Sequence, residues 1–283
     1  MKELRGKAVA DSITEYAAKN AEMLKEKGIM PKLAVIRVGA RPDDIAYERG
    51  IIKRFGSAGV EHEVFELSED CTQDDLNSCF DRVNSDSSIH GILMFRPLPK
   101  HLSDEHMKRT IDPNKDIDGM GYVNQAALYS GDKNAFAPCT AKAVMEILDY
   151  YDIPTTGKRV TVVGRSLVIG RPIALLLISA DATVTVCHRK TADLVSELKK
   201  ADIIVAAAGE PKMITSDMIG DGQIIIDVGM NLDEEGKLCG DVDYENAAPK
   251  ADVITPVPGG VGAVTTSVLL RSTIEGALRS ANG

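Results

Sequence analysis

The sequence predicts an α/β protein with parallel sheets in two domains, and two observations predict it. Short apolar runs rich in Val and Ile alternate with stretches of helical spacing along the chain. One such run, Val160–Val163, leads into the turn Gly164-Arg165-Ser166-Leu167-Val168-Ile169-Gly170 and then a helix start at Arg171-Pro172. Gly164 lets the backbone turn sharply, and Gly170 lets the helix sit close to the sheet. A second strand, Ala182–Cys187, follows about twenty residues on, which completes the first half of a Rossmann-type dinucleotide-binding unit. A helix N-terminus at this place offers free N–H groups to a phosphate. The glycine pattern is imperfect: Ser166 stands for the second glycine of G-x-G-x-x-G, and Gly170 comes one residue late. The turn alone therefore fits an ordinary β–α connection equally well.

Taken in order, Val9, Ile13, Tyr16, Ala17, Met23 and Leu24 predict an amphipathic helix over 7–27, stopped by Gly28. Lys32–Val38 is a strand closed by Gly39, and a loop leads to a helix from about 45 to 58, stopped by Gly59. Glu61–Leu67 alternates as a strand does. Thr72 followed by Asp75 reads as a capping box opening a helix over 72–85. Gly91–Phe95 is a buried strand ended by Pro97 and Pro99. This β-α-β-α-β order calls for a parallel sheet. Ile111–Ala126 is turn-rich and carries three aspartates. A helix over 141–151 precedes the second half, where strands at 160–163, 182–187, 202–207 and 223–228 alternate with helices near 170–179, 191–200 and 215–219. Val253–Val264 is a Pro/Gly loop, long for a mere connection, and Thr265–Arg279 is a final helix that packs back on the first domain.

Composition narrows the function. The 283 residues suffice for two domains with their own cores, and 44% of them are hydrophobic. A net charge of −9 without a long basic run argues against a nucleic-acid partner, while leaving room for a local phosphate pocket. No apolar run approaches the ~20 residues of a membrane span, and the N-terminus lacks a signal-peptide core. Five scattered cysteines without a C-x-x-C pair fit free thiols in a reducing cytoplasm better than a disulfide frame or a metal site.

A set of short motifs then carries a family resemblance. They are Val38-Gly39 with Pro42 before Tyr47, Gly91–Leu93 with Pro97–Pro99, Lys115–Gly119 (KDIDG) and Pro138–Thr140 (PCT). Val162–Ser166 (VVGRS) with Gly170 and Pro172, Thr183–Thr191 (TVTVCHRKT), Asp227–Asn231, Gly240–Val242 and Thr255–Gly262 (TPVPGGVG) complete the set. In that order and spacing the chain resembles the bifunctional methylenetetrahydrofolate dehydrogenase/cyclohydrolase family.

The resemblance implies two α/β domains with a cleft between them: residues 1–140 plus the C-terminal helix 265–283 as the folate-binding catalytic domain, and 141–264 as the NAD(P)-binding domain. It implies hydride transfer from 5,10-methylene-tetrahydrofolate to a nicotinamide cofactor, then addition of water to the methenyl product. It also implies a homodimer. The residues it assigns are Tyr47 and Asp118 as catalytic, with Ile51, Phe95, Pro258, Gly259 and Gly260 beside them at the folate. Gly164, Arg165, Ser166, Gly170, His188, Arg189 and Thr140 fall to the cofactor. No metal is expected.

Two departures stand out. The family's lysine, four residues after the tyrosine and so on the same helix face, is Ile51 here. The family's VQLPLP has glutamine where this chain has Phe95, followed by Arg96 in place of leucine. Water addition needs a placed acid/base group, typically contributing ~10²–10⁴-fold, and isoleucine supplies none. Lys53 lies about 200° around the helix from Ile51. Arg96 falls on the opposite face from Phe95 unless the strand has already ended, and arginine is a poor base. Hydride transfer asks mainly for position and electrostatics. The expectation is therefore a dehydrogenase with weak or absent cyclohydrolase activity. The competing readings are a fully bifunctional enzyme, a dehydrogenase for another one-carbon adduct, and a non-catalytic binding relative.

Single residues have plainer readings too. Tyr47 also suits a half-buried helix, Asp118 an Asx turn, and Phe95 either core or stacking on the ligand. Asp227 suits a ligand at a strand end or a turn. The basic set Arg165, His188, Arg189 and Lys190, where an NAD enzyme often has an acid after the second strand, favours NADP over NAD, the alternative being a solvated basic turn.

Overall fold

The structure is a computed structural model and describes residues 2–282. The elements are β1 (Lys2–Glu3), α1 (Gly6–Glu26), β2 (Lys32–Val38), α2 (Pro42–Ser57), β3 (Glu61–Leu67), α3 (Gln73–Ser85), β4 (Gly91–Met94), α4 (Glu105–Thr110), α5 (Tyr122–Tyr129) and α6 (Cys139–Tyr150). They continue with β5 (Arg159–Val163), α7 (Gly170–Ser179), β6 (Thr183–Cys187), α8 (Leu194–Lys199), β7 (Ile203–Ala206), β8 (Ile224–Asp227), β9 (Asn231–Leu232), β10 (Leu238–Cys239), α9 (Tyr244–Ala247), β11 (Val253–Ile254) and α10 (Gly262–Asn282). The chain forms two compact units: Ser12–Ala137 with Thr266–Gly283, and Met1–Asp11 with Pro138–Thr265. No helix among the described residues is long and apolar enough to cross a membrane.

The unit of residues 12–137 holds a three-stranded parallel sheet in the order β3-β2-β4. Ala34, Ile36, Ile92 and Met94 of the sheet join Leu76, Phe80 and Val83 of α3 in one core. The predicted capping box is present: Thr72 Oγ1 accepts from Asp75 N at 3.2 Å, and Asp75 Oδ2 accepts from Thr72 N at 2.9 Å. Helix α2 starts at Pro42, earlier than expected. Proline suits the first helical turn, and Asp43 and Asp44 oppose the dipole there. The turn-rich stretch contains a helix after all, α5, and α4 was not legible in the sequence.

The second unit is built on a six-stranded, wholly parallel sheet in the order β1-β11-β8-β7-β5-β6. Residues 2–3, which the sequence grouped with the first half, pair with Val253 and Ile254. Those two residues make a strand out of the start of the expected Pro/Gly loop. The helix expected at 215–219 is a single turn closed by Met218 N donating to Thr215 O. Asn231–Leu232 and Leu238–Cys239 pair antiparallel around Gly236, a hairpin that the sequence did not disclose. Val163 stands level with Cys187 on one side and Ala206 on the other. Three strands therefore end together, the place where open α/β sheets bind ligands.

Candidate active site

A cavity of about 350 Å³ opens at those three strand ends. Its walls are Gly164–Ser166 after β5, His188–Lys190 after β6, and Ala207 and Ala208 after β7, with Leu194 and Met213. Of the expected cofactor residues, Gly164, Arg165, Ser166, His188 and Arg189 line it. Thr140 stands at the start of α6 and does not. Gly170 acts from behind: a β-carbon there would lie within 3.0 Å of the Gly164 carbonyl, so helix and turn touch through backbone alone. Gly164 has φ 136, and a β-carbon would collide with the Ala207 carbonyl. The cradle is thus shaped for close backbone approach, which a dinucleotide uses.

Ser166 explains the imperfect glycine pattern. Its Oγ accepts from Ile169 N at 3.1 Å and Gly170 N at 3.4 Å, and its carbonyl accepts from Arg171 N at 3.0 Å. The expectation of free N–H groups at the helix start is therefore corrected: these three amides are taken by Ser166. Positive charge comes instead from Arg165, Arg189 and Lys190. Arg189 Nε lies 3.3 Å from Glu210, but both side chains are well exposed, and such a pair is weak enough for a phosphate to displace.

Behind this cavity sit two buried carboxylates. Asp241 is fully buried and accepts from the amides of Ala208, Gly209 and Glu210 and from Asn231 Nδ2. It fixes the loop that carries the Ala208 wall. Asp227 accepts from Gly229 N, Asp241 N and Val242 N at 2.9–3.0 Å. At 3% exposure it is a turn-holding aspartate, not a ligand-facing one.

The second cluster belongs to the other unit. The rings of Tyr47 and Phe95 have centroids 5.8 Å apart, tilted by 39°. Phe95 is 7% exposed and packs its ring against Tyr47. Beside them Arg96 Nη2 lies 3.7 Å from Asp118 Oδ2, each side chain 20% exposed. Strand β4 stops at Met94, so alternation no longer governs Arg96, and it comes to the aspartate. Ile51 is 0% exposed and forms with Phe55 the buried face of α2. Burial suits an aliphatic side chain at that position. Glu48, next to Tyr47, is anchored by the buried Arg37 at 2.8 Å, which ties α2 to β2. Pro258, Gly259 and Gly260 lie in the other unit, where the Gly259 carbonyl accepts from Gly6 N at 2.8 Å.

Asp118 is presented by a turn that Asp116 holds, a role the sequence gave no reason to separate from that of its neighbour. Asp116 is 1% exposed and accepts from Met120 N, Gly121 N and Asn124 Nδ2 at 2.8–2.9 Å. Burial pushes its pKa up to about 6, and burial pushes Asp227 up to about 7. A folded pKa above the unfolded value stabilises the fold below the unfolded pKa, and that contribution is lost as pH rises through the folded one. His90 opposes this, since burial lowers its pKa and acid protonates the unfolded imidazole first. Two carboxylates against one imidazole leave a net gain of about 1–2 kcal/mol on moving from pH 7.5 to 5.5. Thermal melts across that window should show a higher melting temperature at pH 5.5. A flat or falling trend would contradict the assignment.

Residues 4–118 match the model of the tetrahydrofolate dehydrogenase/cyclohydrolase catalytic domain, and 138–281 match that of its NAD(P)-binding domain. The bifunctional protein FolD of Clostridioides difficile is 49% identical over 272 residues, covering 96% of this chain and 95% of that one. The crystal structure of the bifunctional enzyme FolD of Campylobacter jejuni superposes with a TM-score of 0.96 at 41% identity, covering 99% of each chain. That of Trypanosoma brucei FolD, a complex with NADP and an inhibitor, gives 0.93 at 37% identity, covering 99% of this chain and 98% of that one. The chain belongs to the tetrahydrofolate dehydrogenase/cyclohydrolase family.

Proposed function

We infer that the protein is an NADP-dependent 5,10-methylene-tetrahydrofolate dehydrogenase whose cyclohydrolase activity is weak or lost. The dehydrogenase half rests on the family and on the strand-end cavity. The glycine cradle and the basic rim of Arg165, His188, Arg189 and Lys190 fit a dinucleotide bearing a 2′-phosphate. When bound, NADP supplies the hydride acceptor. The chain's own contribution is to orient and to hold charge. Loss of a hydride leaves the one-carbon bridge of the folate cationic, and the Asp118 carboxylate would hold the pterin that carries the bridge.

The observation that carries the cyclohydrolase half is the burial of Ile51 together with the packing of Phe95 on Tyr47. An aliphatic chain and an aromatic ring stand where the resemblance has lysine and glutamine, so neither can move a proton to or from water. Arg96 is close, but a guanidinium stays protonated and is no base. All five cysteines are free and buried, which agrees with a reducing cytoplasm, and a homodimer completes the reading.

The test is purified protein with 5,10-methylene-tetrahydrofolate and either NADP or NAD, followed by absorbance. NADPH and methenyl-tetrahydrofolate should accumulate together, with NADP favoured at least tenfold in kcat/KM. Methenyl product that never outlasts the buffer's own hydrolysis would restore the bifunctional reading. Equal rates with the two cofactors would undo the NADP assignment.

A further inference from the structure

We propose that Arg96 is a folate-binding residue of this chain, donating to the carbonyl edge of the pterin ring beside Asp118; this rests on the folate reading above. The side chain is one-fifth exposed, and among the described residues its ion-pair partner is Asp118, at 3.7 Å. That distance is too long for a hydrogen bond. Arg96 makes no side-chain hydrogen bond among the described residues, and its guanidinium nitrogens reach solvent, so a fork of five donors is open to a ligand. Something outside the chain can take those donors.

The neighbour defines what that something is. A carboxylate offers only acceptors and a guanidinium only donors. Side by side at 3.7 Å, they match a flat edge with donors and an acceptor next to one another. The 2-amino-4-oxopyrimidine ring of a pterin has such an edge, with its amino group and N3–H as donors and O4 as acceptor. The donors go to Asp118 and O4 to Arg96. The glutamate tail of a folate is the other group that an arginine would attract. Its carboxylate would lie against Asp118, and like charges at this range repel. The mixed edge is favoured over the anion. Because Arg96 occupies a position where the resemblance has leucine, Arg96→Leu is a change that this backbone is built to accept.

The experiment titrates the full-length protein with 5-formyl-tetrahydrofolate, with 5-formyl-tetrahydropteroate, which lacks the glutamate, and with NADP. Arg96→Leu should weaken both pterin ligands by the same factor, tenfold or more, and leave NADP binding unchanged. Arg96→Lys should fall between, since it keeps the charge and loses the fork. Unchanged pterin affinity in Arg96→Leu overturns the proposal, and so does a loss confined to the glutamylated ligand. An equal loss of NADP affinity would make the effect structural and overturn it as well. Wild-type protein that binds neither pterin would overturn the folate reading and this proposal with it. Binding without turnover would remove only the dehydrogenase.

Discussion

Replacing Gly164 by alanine is expected to raise the KM for NADP by ~100-fold or more and to lower stability by about 3–5 kcal/mol. Two effects add. At φ 136 the backbone lies in a region that L-residues rarely enter. The added β-carbon would also meet the carbonyl oxygen and carbon of Ala207, both backbone atoms, so no side-chain rotation relieves it. Ala207 is itself held by its N–H donating to Val163 O at 2.8 Å. Relief therefore means parting β5 from β7 at the mouth of the cavity. Gly209 supplies the control. It has φ 67 and open space around its missing side chain, so Gly209→Ala brings strain alone, about 1–2 kcal/mol. Calorimetric melts and NADP titrations of both variants decide the matter. If Gly164→Ala costs no more than Gly209→Ala, close backbone packing is not what shapes the cradle.

The same pair of glycines shows where reading from sequence succeeds. A positive-φ glycine between a β-branched run and a helix is a local signal, and it located the cofactor unit. Strands β5, β7 and β8 were equally plain, because mostly buried parallel strands read as runs rich in Val and Ile. What escaped was non-local or too short. Strand β1 is two residues long and exists only through its pairing with Val253 and Ile254. Asp241 and Asp116 look like any loop aspartate, and all but one of the partners of each are backbone amides, which carry no sequence identity. The side of Arg96 was open for a clearer reason: it turned on where β4 ends, and β4 ends at Met94. Ile51, which the resemblance puts beside the folate, is fully buried, a depth that the helix period does not fix.

That depth governs the result expected when the two departures are reversed. Ile51→Lys alone should destabilise the protein by several kcal/mol, because it drives an ammonium into a site with no exposure. It should also leave hydrolysis of methenyl-tetrahydrofolate near the buffer rate. Combined with Phe95→Gln, the outcome should differ. The Phe95 ring now fills the space against Tyr47, and replacing it opens a polar route along which a four-carbon stem can carry its charge outward. The glutamine carbonyl gives the ammonium an acceptor. Part of the lost stability should return, since the two changes are coupled and not additive. A placed acid/base group is worth ~10²–10⁴-fold, so the double variant should form 10-formyl-tetrahydrofolate at least ~100-fold faster than the wild type. Dehydrogenase kcat should change by much less, since hydride transfer needs neither side chain as an acid or base. The measurement is the decay of methenyl absorbance at fixed pH, corrected for the buffer, beside melts of all three variants. A folded double variant that still oxidises methylene-tetrahydrofolate yet gains no hydrolysis would mean that Ile51 and Phe95 do not set the balance between the two reactions.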